Sequence, residues 1–123
     1  MGQSFKDLIV WQKAIALTIA IYKLTESLPP SERFGLTNQL RRAAVSVASN
    51  IAEGYGRSTR GEYIQFLGNA RGSNCEVETQ LVIVASLGFG SDANRATAER
   101  LCADVSRLLR GLMHSLRTSP SGS

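Results

Sequence analysis

The stretch of residues 35–57 constrains the fold more than any other part of the chain, because it carries two stripes of opposite character at helical spacing. Apolar residues recur every three or four positions, at Leu36, Leu40, Ala43, Ala44, Val47 and Ile51. A polar stripe runs beside them, formed by Arg42, Ser46, Asn50 and Glu53. A helix with such an apolar face must pack against further helices to bury it, so this stretch predicts a helical bundle.

The rest of the chain shows the same helical periodicity, broken only at turn signals. Pro29 and Pro30 end the first predicted helix, and Gly88 separates the last two. The predicted N-caps of the second, third and fourth helices are Thr37, Ser58 or Thr59, and Ser91. The pattern predicts four helices, at about residues 7–28, 38–55, 60–87 and 92–116. Short connections favour antiparallel neighbours. We therefore predict an all-α, antiparallel up-down-up-down four-helix bundle that forms a single domain over residues 1–123, with residues 118–123 as a disordered tail.

The first predicted helix has two adjacent apolar stripes rather than one. The first stripe contains Val10, Ala14, Leu17, Ile21, Leu24 and Leu28, and the second contains Leu8, Trp11, Ile15, Ile19 and Tyr22. A helix on the surface of a small monomer needs a narrower apolar face than this. Two interpretations follow: either the helix is well buried in its own bundle, or one stripe contacts a neighbouring subunit.

The second and third predicted helices form a hairpin, which brings polar residues of both helices to the same level. In this register Arg42 (or Arg41) pairs with Glu76, and Ser46 lies near Arg71. The full polar set is Arg41, Arg42, Ser46, Asn50, Glu53, Ser73 and Glu76. It is interpreted either as a ligand or catalytic site, or as a buried polar network that sets the helix register. The network is favoured, because buried charges normally occur in pairs.

Gly72 interrupts the third predicted helix midway along its length. A glycine in a helix interior costs about 1 kcal/mol relative to alanine. A close contact between helices at this position would explain why a glycine stands there, and we predict such a contact.

Basic residues form a second pattern of interest on the fourth predicted helix. The chain has 14 Lys and Arg against 10 Asp and Glu, a net charge of +4. On a straight helix the cationic side chains fall within about 100° of one another. This cationic stripe contains Arg100, Arg107, Arg110, His114 and Arg117. Arg57 and Arg60 could form a second small cluster at a turn. The stripe is interpreted either as a solvated face that complements the helix dipole, or as a phosphate-binding surface.

The sequence favours no catalytic, metal or cofactor site. His114 is the only histidine and has no Ser or Cys partner placed for nucleophilic chemistry. Cys75 and Cys102 lie far apart without metal-ligand spacing, which indicates a reduced, cytoplasmic setting without disulfides. No secretory signal is recognised, and the longest apolar run is too short to span a bilayer. We therefore predict a non-enzymatic cytoplasmic protein with no membrane partner.

The organising stretch also resembles a known family across about residues 5–117. The runs that carry the resemblance are Leu40-Arg41-Arg42-Ala43-Ala44 and Asn50-Ile51-Ala52-Glu53-Gly54, with Phe66-Leu67, Gly72-Ser73 and Glu76. They are similar to the four-helix-bundle proteins encoded in intervening sequences of bacterial 23S ribosomal RNA genes, a family related to the accessory protein of diversity-generating retroelements. The resemblance implies a homopentameric ring with a basic surface that binds nucleic acid. For the retroelement relative it also implies contact with a reverse transcriptase.

Taken together, these observations predict a ring-forming bundle that binds structured RNA or DNA without catalysis, through arginines on its outer or pore faces. The alternative is a protein-interaction scaffold whose partner is a protein, such as a reverse transcriptase, and not a nucleic acid. The two differ in salt dependence, because phosphate binding releases counterions and apolar docking does not.

Overall fold

The computed structural model describes residues 4–119 and consists of four long helices. They are α1 (Ile9–Thr25), α2 (Leu36–Tyr55), α3 (Arg60–Leu87) and α4 (Asp92–Thr118), with short 3-10 turns at Phe5–Asp7 and Pro30–Glu32. No strand occurs within the part of the chain that the structure describes. The predicted all-α class and four-helix bundle are confirmed, and α3 has the predicted bounds.

α1 is shorter at both ends than the predicted helix 7–28. Ser4 and Asp7 cap the preceding 3-10 turn reciprocally, and Leu8 is extended, so the α-helix begins at Ile9. At the other end the backbone N–H of Leu28 donates to the carbonyl of Thr25 at 3.2 Å. This three-residue hydrogen bond tightens the chain ahead of the prolines and ends the regular helix.

α2 begins two residues before the predicted start at 38, because its cap differs from the one expected. Thr37 was the expected N-cap, but Gly35 holds that position and has no side chain to offer. Glu32 supplies the missing acceptor: its Oε1 accepts from the backbone N–H of Leu36 at 3.1 Å. A carboxylate at this position also suits the positive end of the helix dipole.

α4 extends two residues beyond the predicted end at 116, which corrects the start of the tail. Thr118 is the last helical residue, and its hydroxyl donates to the carbonyl of His114 at 3.0 Å. Ser119 accepts from Arg60 through its carbonyl at 3.1 Å. The rest of the predicted disordered tail, residues 120–123, lies outside the described residues.

Predicted capping residues mark the other helix ends. Thr59 accepts from the backbone N–H of Glu62 at 3.1 Å, and Ser91 accepts from that of Asn94 at 3.1 Å. Gly88 ends α3 in the left-handed conformation with φ of 71°. An L side chain rarely adopts that conformation, which explains the glycine.

Each helix packs on two neighbours around one core: α1 and α3 each contact both α2 and α4. The Thr18 hydroxyl of α1 donates to the Ala44 carbonyl of α2, and further along α1 the Thr25 hydroxyl accepts from Arg41 of α2. Residue numbers therefore rise along α1 as they fall along α2, which means that these two helices are antiparallel, as the up-down order requires. The largest fully buried side chains come from all four helices: Leu17, Ile21, Leu24, Leu40, Ile51, Leu67, Leu81 and Leu109.

The two apolar stripes of α1 have different surroundings. Every member of the first stripe is buried in the core. In the second stripe, Leu8, Trp11 and Ile15 pack against the core at its edge, whereas Ile19 and Tyr22 remain 53% and 42% exposed. The bundle therefore buries most of the double stripe and leaves one end of it on the surface.

The predicted close contact at Gly72 is wrong. Gly72 is exposed, and no atom lies within 4 Å of where its Cβ would stand. The close approach of α2 and α3 occurs instead at Gly54, where a Cβ would meet Phe66 and Tyr63. Gly72 lies off the buried face of α3, so it cannot meet a neighbouring helix.

Candidate functional site

The cationic stripe of α4 lies on the surface of the bundle. Arg100, Arg107, Arg110, His114 and Arg117 are all exposed. Asp104 contacts this surface, and it accepts from Arg107 at 3.2 Å and from Lys13 of α1 at 3.4 Å. From residue 105 to residue 118 the helix contains no Asp or Glu, so its last turns carry positive charge alone.

The stripe is not uniformly positive along its length. Arg100 follows Glu99, and Glu99 lines a groove between α3 and α4 together with Glu78 and Arg110. These carboxylates offset the positive charge near the N-terminal half of the helix. Arg107 is itself paired with Asp104, so the positive charge is least compensated around Arg117, at the C-terminus of α4.

The second predicted cluster adjoins the end of this stripe. Arg60 opens α3, and its guanidinium donates to the carbonyl of Ser119 just beyond α4. Arg57 lies 3.7 Å from Glu53 and 3.6 Å from Glu62, and its guanidinium is 4.9 Å from the centre of the Phe66 ring. Arg57 therefore already has two carboxylate partners.

Part of the predicted polar set forms a small network between α2 and α3. The hydroxyls of Ser46 and Ser73 lie 2.9 Å apart. Asn50 donates from Nδ2 to the Ser46 carbonyl at 2.8 Å and to its hydroxyl at 3.0 Å. The expected neighbour of Ser46 was Arg71, so the true register is shifted by two residues along α3.

The predicted buried ion pair between Arg42 and Glu76 is wrong. Both side chains are exposed, and within residues 4–119 neither forms an ion pair. The buried residue of α3 at this level is Val77, and Glu76 lies outside the buried face of α3, as Arg42 lies outside that of α2. The two charges instead line a groove of about 370 Å³ between α2 and α3. Its other lining residues are Asn38, Gln39, Ala43, Ser46 and Gln80.

The remaining members of the polar set have separate partners. Arg41 faces α1, where its Nε donates to the Thr25 hydroxyl at 2.8 Å and its guanidinium lies 4.4 Å from the centre of the Tyr22 ring. Glu53 contacts Arg57, one turn further along α2. The seven residues therefore form distinct local groups and not one continuous network.

Two buried polar residues of α3 were missed in the sequence. Asn74 is 2% exposed and donates from Nδ2 to the carbonyl of Cys102 on α4 at 3.0 Å. The Cys102 thiol points back to the Asn74 Oδ1 at 3.4 Å, and burial, with smaller effects of Glu78 and Cys75, raises its pKa to about 12. Asn74 follows the buried spacing of Leu67, Ala70, Val77 and Leu81, and this spacing could have identified it.

Gln80 is the second missed residue, and it lies at the groove between α2 and α3. Its Nε2 donates to the Gln39 Oε1 over a long 3.4 Å, while its own Oε1 is buried without a hydrogen-bond partner. A buried acceptor without a partner is uncommon in native proteins, because leaving it unpaired is unfavourable.

Among residues 4–119, no group of three or more His, Cys, Asp or Glu side chains is arranged to hold a metal ion. None of the helices in the described part of the chain combines the length and apolar character that a membrane span requires.

Comparison with known proteins identifies one family. The family model described as 23S rRNA-intervening sequence protein matches residues 6–111. No curated protein sequence matches the chain significantly. Among solved structures, the fold is similar to that of a protein of unknown function from the S23 ribosomal protein family of Bacteroides thetaiotaomicron. The TM-score is 0.78 at 20% identity, over 85% of this chain and 98% of the other.

Proposed function

Since the chain belongs to the 23S rRNA-intervening sequence protein family, we propose that it binds structured RNA without catalysing a reaction on it. The surface that makes the contact is the C-terminal half of α4. In this proposal arginine side chains bind the phosphate backbone, and the bundle serves as a rigid support.

The observation that carries this proposal is the exposed run of Arg107, Arg110, His114 and Arg117 on a helix segment without any acidic residue. Arginine suits this role, because its planar guanidinium offers paired N–H donors that match phosphate oxygens. Arg60, at the start of α3, lies beside the end of α4 and extends the same surface. Arg57, Arg100 and Arg107 are each expected to contribute less, because a carboxylate stands next to each of them.

The proposal includes assembly into a ring, most simply the homopentamer that the family resemblance implies. Exposed apolar side chains on α1 and α2 support a subunit contact: Ile19 is 53% exposed, Tyr22 is 42% exposed and Val45 is 43% exposed. A ring repeats the cationic stripe of each subunit, so the modest charge of one chain becomes a belt of positive potential.

The binding proposal is tested by fluorescence anisotropy with a labelled RNA hairpin at about 50 and about 200 mM salt. The test variant is Arg107→Ala/Arg110→Ala/Arg117→Ala. A matched control removes three charges elsewhere, in Lys23→Ala/Arg33→Ala/Arg71→Ala. We expect affinity to fall with salt at a log–log slope of about −0.7 to −0.9 per neutralised phosphate, and to fall further in the α4 variant.

Equal loss of affinity in both triple variants would contradict a specific role of α4, and no binding at low salt would overturn the proposal. Light scattering coupled to size exclusion tests the ring separately. A single species with the monomer mass of 13.3 kDa would overturn the assembly.

A protein-binding scaffold is the second candidate function, and exposed apolar residues at one end of the bundle favour it. Phe34, in the connection before α2, is 84% exposed, and Leu87, at the end of α3, is 54% exposed. A protein partner such as a reverse transcriptase could cover them. Binding of that kind would depend only weakly on salt, and would be lost in Phe34→Ser and not in the α4 variant.

A further inference from the structure

The groove between α2 and α3 contains a buried acceptor that the fold leaves unpaired. Gln80 is only 9% exposed, and its Oε1 has no hydrogen-bond partner among the described residues. Its Nε2 donates to the Gln39 Oε1 over a long 3.4 Å, which holds the Gln80 amide at the lining of the groove. A donor from a bound molecule would satisfy this acceptor.

Two side chains of opposite charge line the same groove and do not form an ion pair with each other. Arg42 comes from α2 and Glu76 from α3, and neither has an ion-pair partner among residues 4–119. The groove has a volume of about 370 Å³, within the range of small-molecule sites. A fitting ligand therefore offers acceptors to the arginine, and donors to both the carboxylate and the glutamine.

Ser46, which also lines the groove, already has hydrogen-bond partners within the bundle. The Ser46 hydroxyl is held by Ser73 at 2.9 Å and by Asn50 at 3.0 Å. The bond to Ser73 joins α2 to α3 beside the charged side chains, and the bond from Asn50 holds the Ser46 hydroxyl within α2. The unpaired groups are thus carried on a fixed framework, as a binding site requires.

We propose that this groove binds an unpaired guanine base of RNA, an inference that rests on the proposed RNA-binding function and assigns it a second contact. Guanine presents N1–H and N2–H₂ as adjacent donors, which match the two oxygens of Glu76. Its O6 and N7 are adjacent acceptors, which match the guanidinium of Arg42. The second hydrogen of the N2 amino group is then available to Gln80 Oε1.

The other bases fit this set of groups less well. An ionised carboxylate is only an acceptor and repels a base edge on which acceptors predominate. Uracil has one ring N–H between two carbonyl acceptors, and adenine and cytosine each place a ring acceptor beside their amino group. Only guanine combines paired donors with paired acceptors, so the groove selects an unpaired guanine, such as one in a loop or bulge.

The groove and the α4 stripe would divide recognition between them. Phosphate contacts at α4 give affinity independent of sequence, whereas the groove on α2 and α3 reads a base. The two surfaces belong to different helices, so they can be removed independently. Nucleosides, which lack phosphate, report on the groove alone.

The test is an NMR titration of the ¹⁵N-labelled full chain with guanosine, and separately with adenosine, cytidine and uridine. We expect guanosine to shift the side-chain amide signals of Gln80 and Gln39, with an affinity at least about tenfold above the other nucleosides. Glu76→Gln should weaken guanosine binding by about tenfold. Glu78→Gln is the matched control, because Glu78 lines the opposite groove between α3 and α4.

Equal binding of all four nucleosides, no guanosine binding, or an unchanged affinity in Glu76→Gln would each overturn the guanine site. Far-UV circular dichroism of both variants checks that the exposed substitution leaves the fold intact.

The outcomes also separate this proposal from the proposed function. The α4 triple variant should bind guanosine as wild type does. Salt-dependent RNA binding that does not distinguish hairpins with guanine or adenine loops would overturn the guanine site alone. Guanosine binding without any RNA binding would overturn the α4 proposal, and would leave the groove as a site for the free nucleoside.

Discussion

A Cβ atom added to Gly54 would lie 2.8 Å from the Cβ of Phe66, so α2 and α3 pack closely where the glycine has no side chain. Tyr63 closes the same contact from the next turn of α3, with Cδ1 at 3.1 Å from that position. Its ring meets Tyr55 edge to face with centroids 6.0 Å apart. The end of the hairpin is therefore packed through aromatic side chains against a bare backbone.

Gly54→Ala should lower the free energy of unfolding by about 1–3 kcal/mol, because the new methyl group must displace Phe66 or Tyr63. Gly72→Ala is the matched control on α3. It adds a methyl group into open space, and removes a flexible residue from a helix interior, so it should stabilise the fold by about 0.5–1 kcal/mol. Urea titrations at one protein concentration compare the two variants. If the urea midpoints of both variants moved in the same direction from wild type, the close contact at Gly54 would be contradicted.

Arg41→Lys should lower the free energy of unfolding by about 1 kcal/mol, because lysine keeps the charge but loses the Nε bond to Thr25 and the planar contact with Tyr22. Arg42→Lys is the control and should stay within about 0.5 kcal/mol of wild type, since Arg42 is exposed and unpaired within residues 4–119. Thermal unfolding followed by circular dichroism measures both. Equal effects would mean that the neighbouring arginines have equivalent surroundings.

The two cysteines should differ strongly in reactivity. Cys75 is exposed, whereas Cys102 is buried and its pKa is raised to about 12, so it holds almost no thiolate near neutral pH. A chromogenic disulfide reagent should label one thiol in the folded protein and both in denaturant. Cys75→Ser should abolish the fast reaction. Two thiols reacting at one rate in the folded state would contradict the burial of Cys102.

Asp104 should make the stability depend on pH in the acid range. Partial burial by itself would raise the pKa of this carboxyl, but hydrogen bonds from Arg107 and Lys13 outweigh it and lower the pKa below its usual value. A lowered folded-state pKa gives stability that is present above the unfolded pKa of about 3.9, and is lost as the pH falls through the folded value.

Asp104→Asn should therefore destabilise the protein at about pH 7, and differ little from wild type at about pH 2. Urea midpoints at the two pH values measure this difference. Glu99→Gln, on the same helix, serves as the control, because Glu99 has no ion pair within residues 4–119. An Asp104→Asn effect that persists unchanged in acid would show that it does not arise from ionisation.

Features set by neighbouring residues were predictable from the sequence. Thr59, Ser91 and Gly88 cap helices as expected, because capping depends on a few adjacent backbone groups. The first apolar stripe of α1 forms core for the same reason, since helical spacing alone decides which residues share a face.

Features set by the relation of two helices were not predictable in the same way. The pairing of Ser46 with Ser73 depends on how the chain turns between α2 and α3, and an offset of two residues moves a side chain about 3 Å along the axis. The predicted Arg42–Glu76 pair failed for a different reason, because both side chains lie outside the buried faces of their helices. The burial of Asn74 could have been predicted from its helical spacing with the buried residues of α3, but its polar side chain suggested a surface position.

The placement of α1 against α4 has a consequence for how the chain reaches its native state. α2, α3 and α4 follow one another through short turns, whereas Lys13 and Asp104 meet across a sequence separation of 91 residues. Closing so long a loop costs more chain entropy than forming the local hairpins. We therefore expect α1 and α4 to dock late in folding, and their amide protons to exchange with deuterium sooner than those of the α2–α3 hairpin.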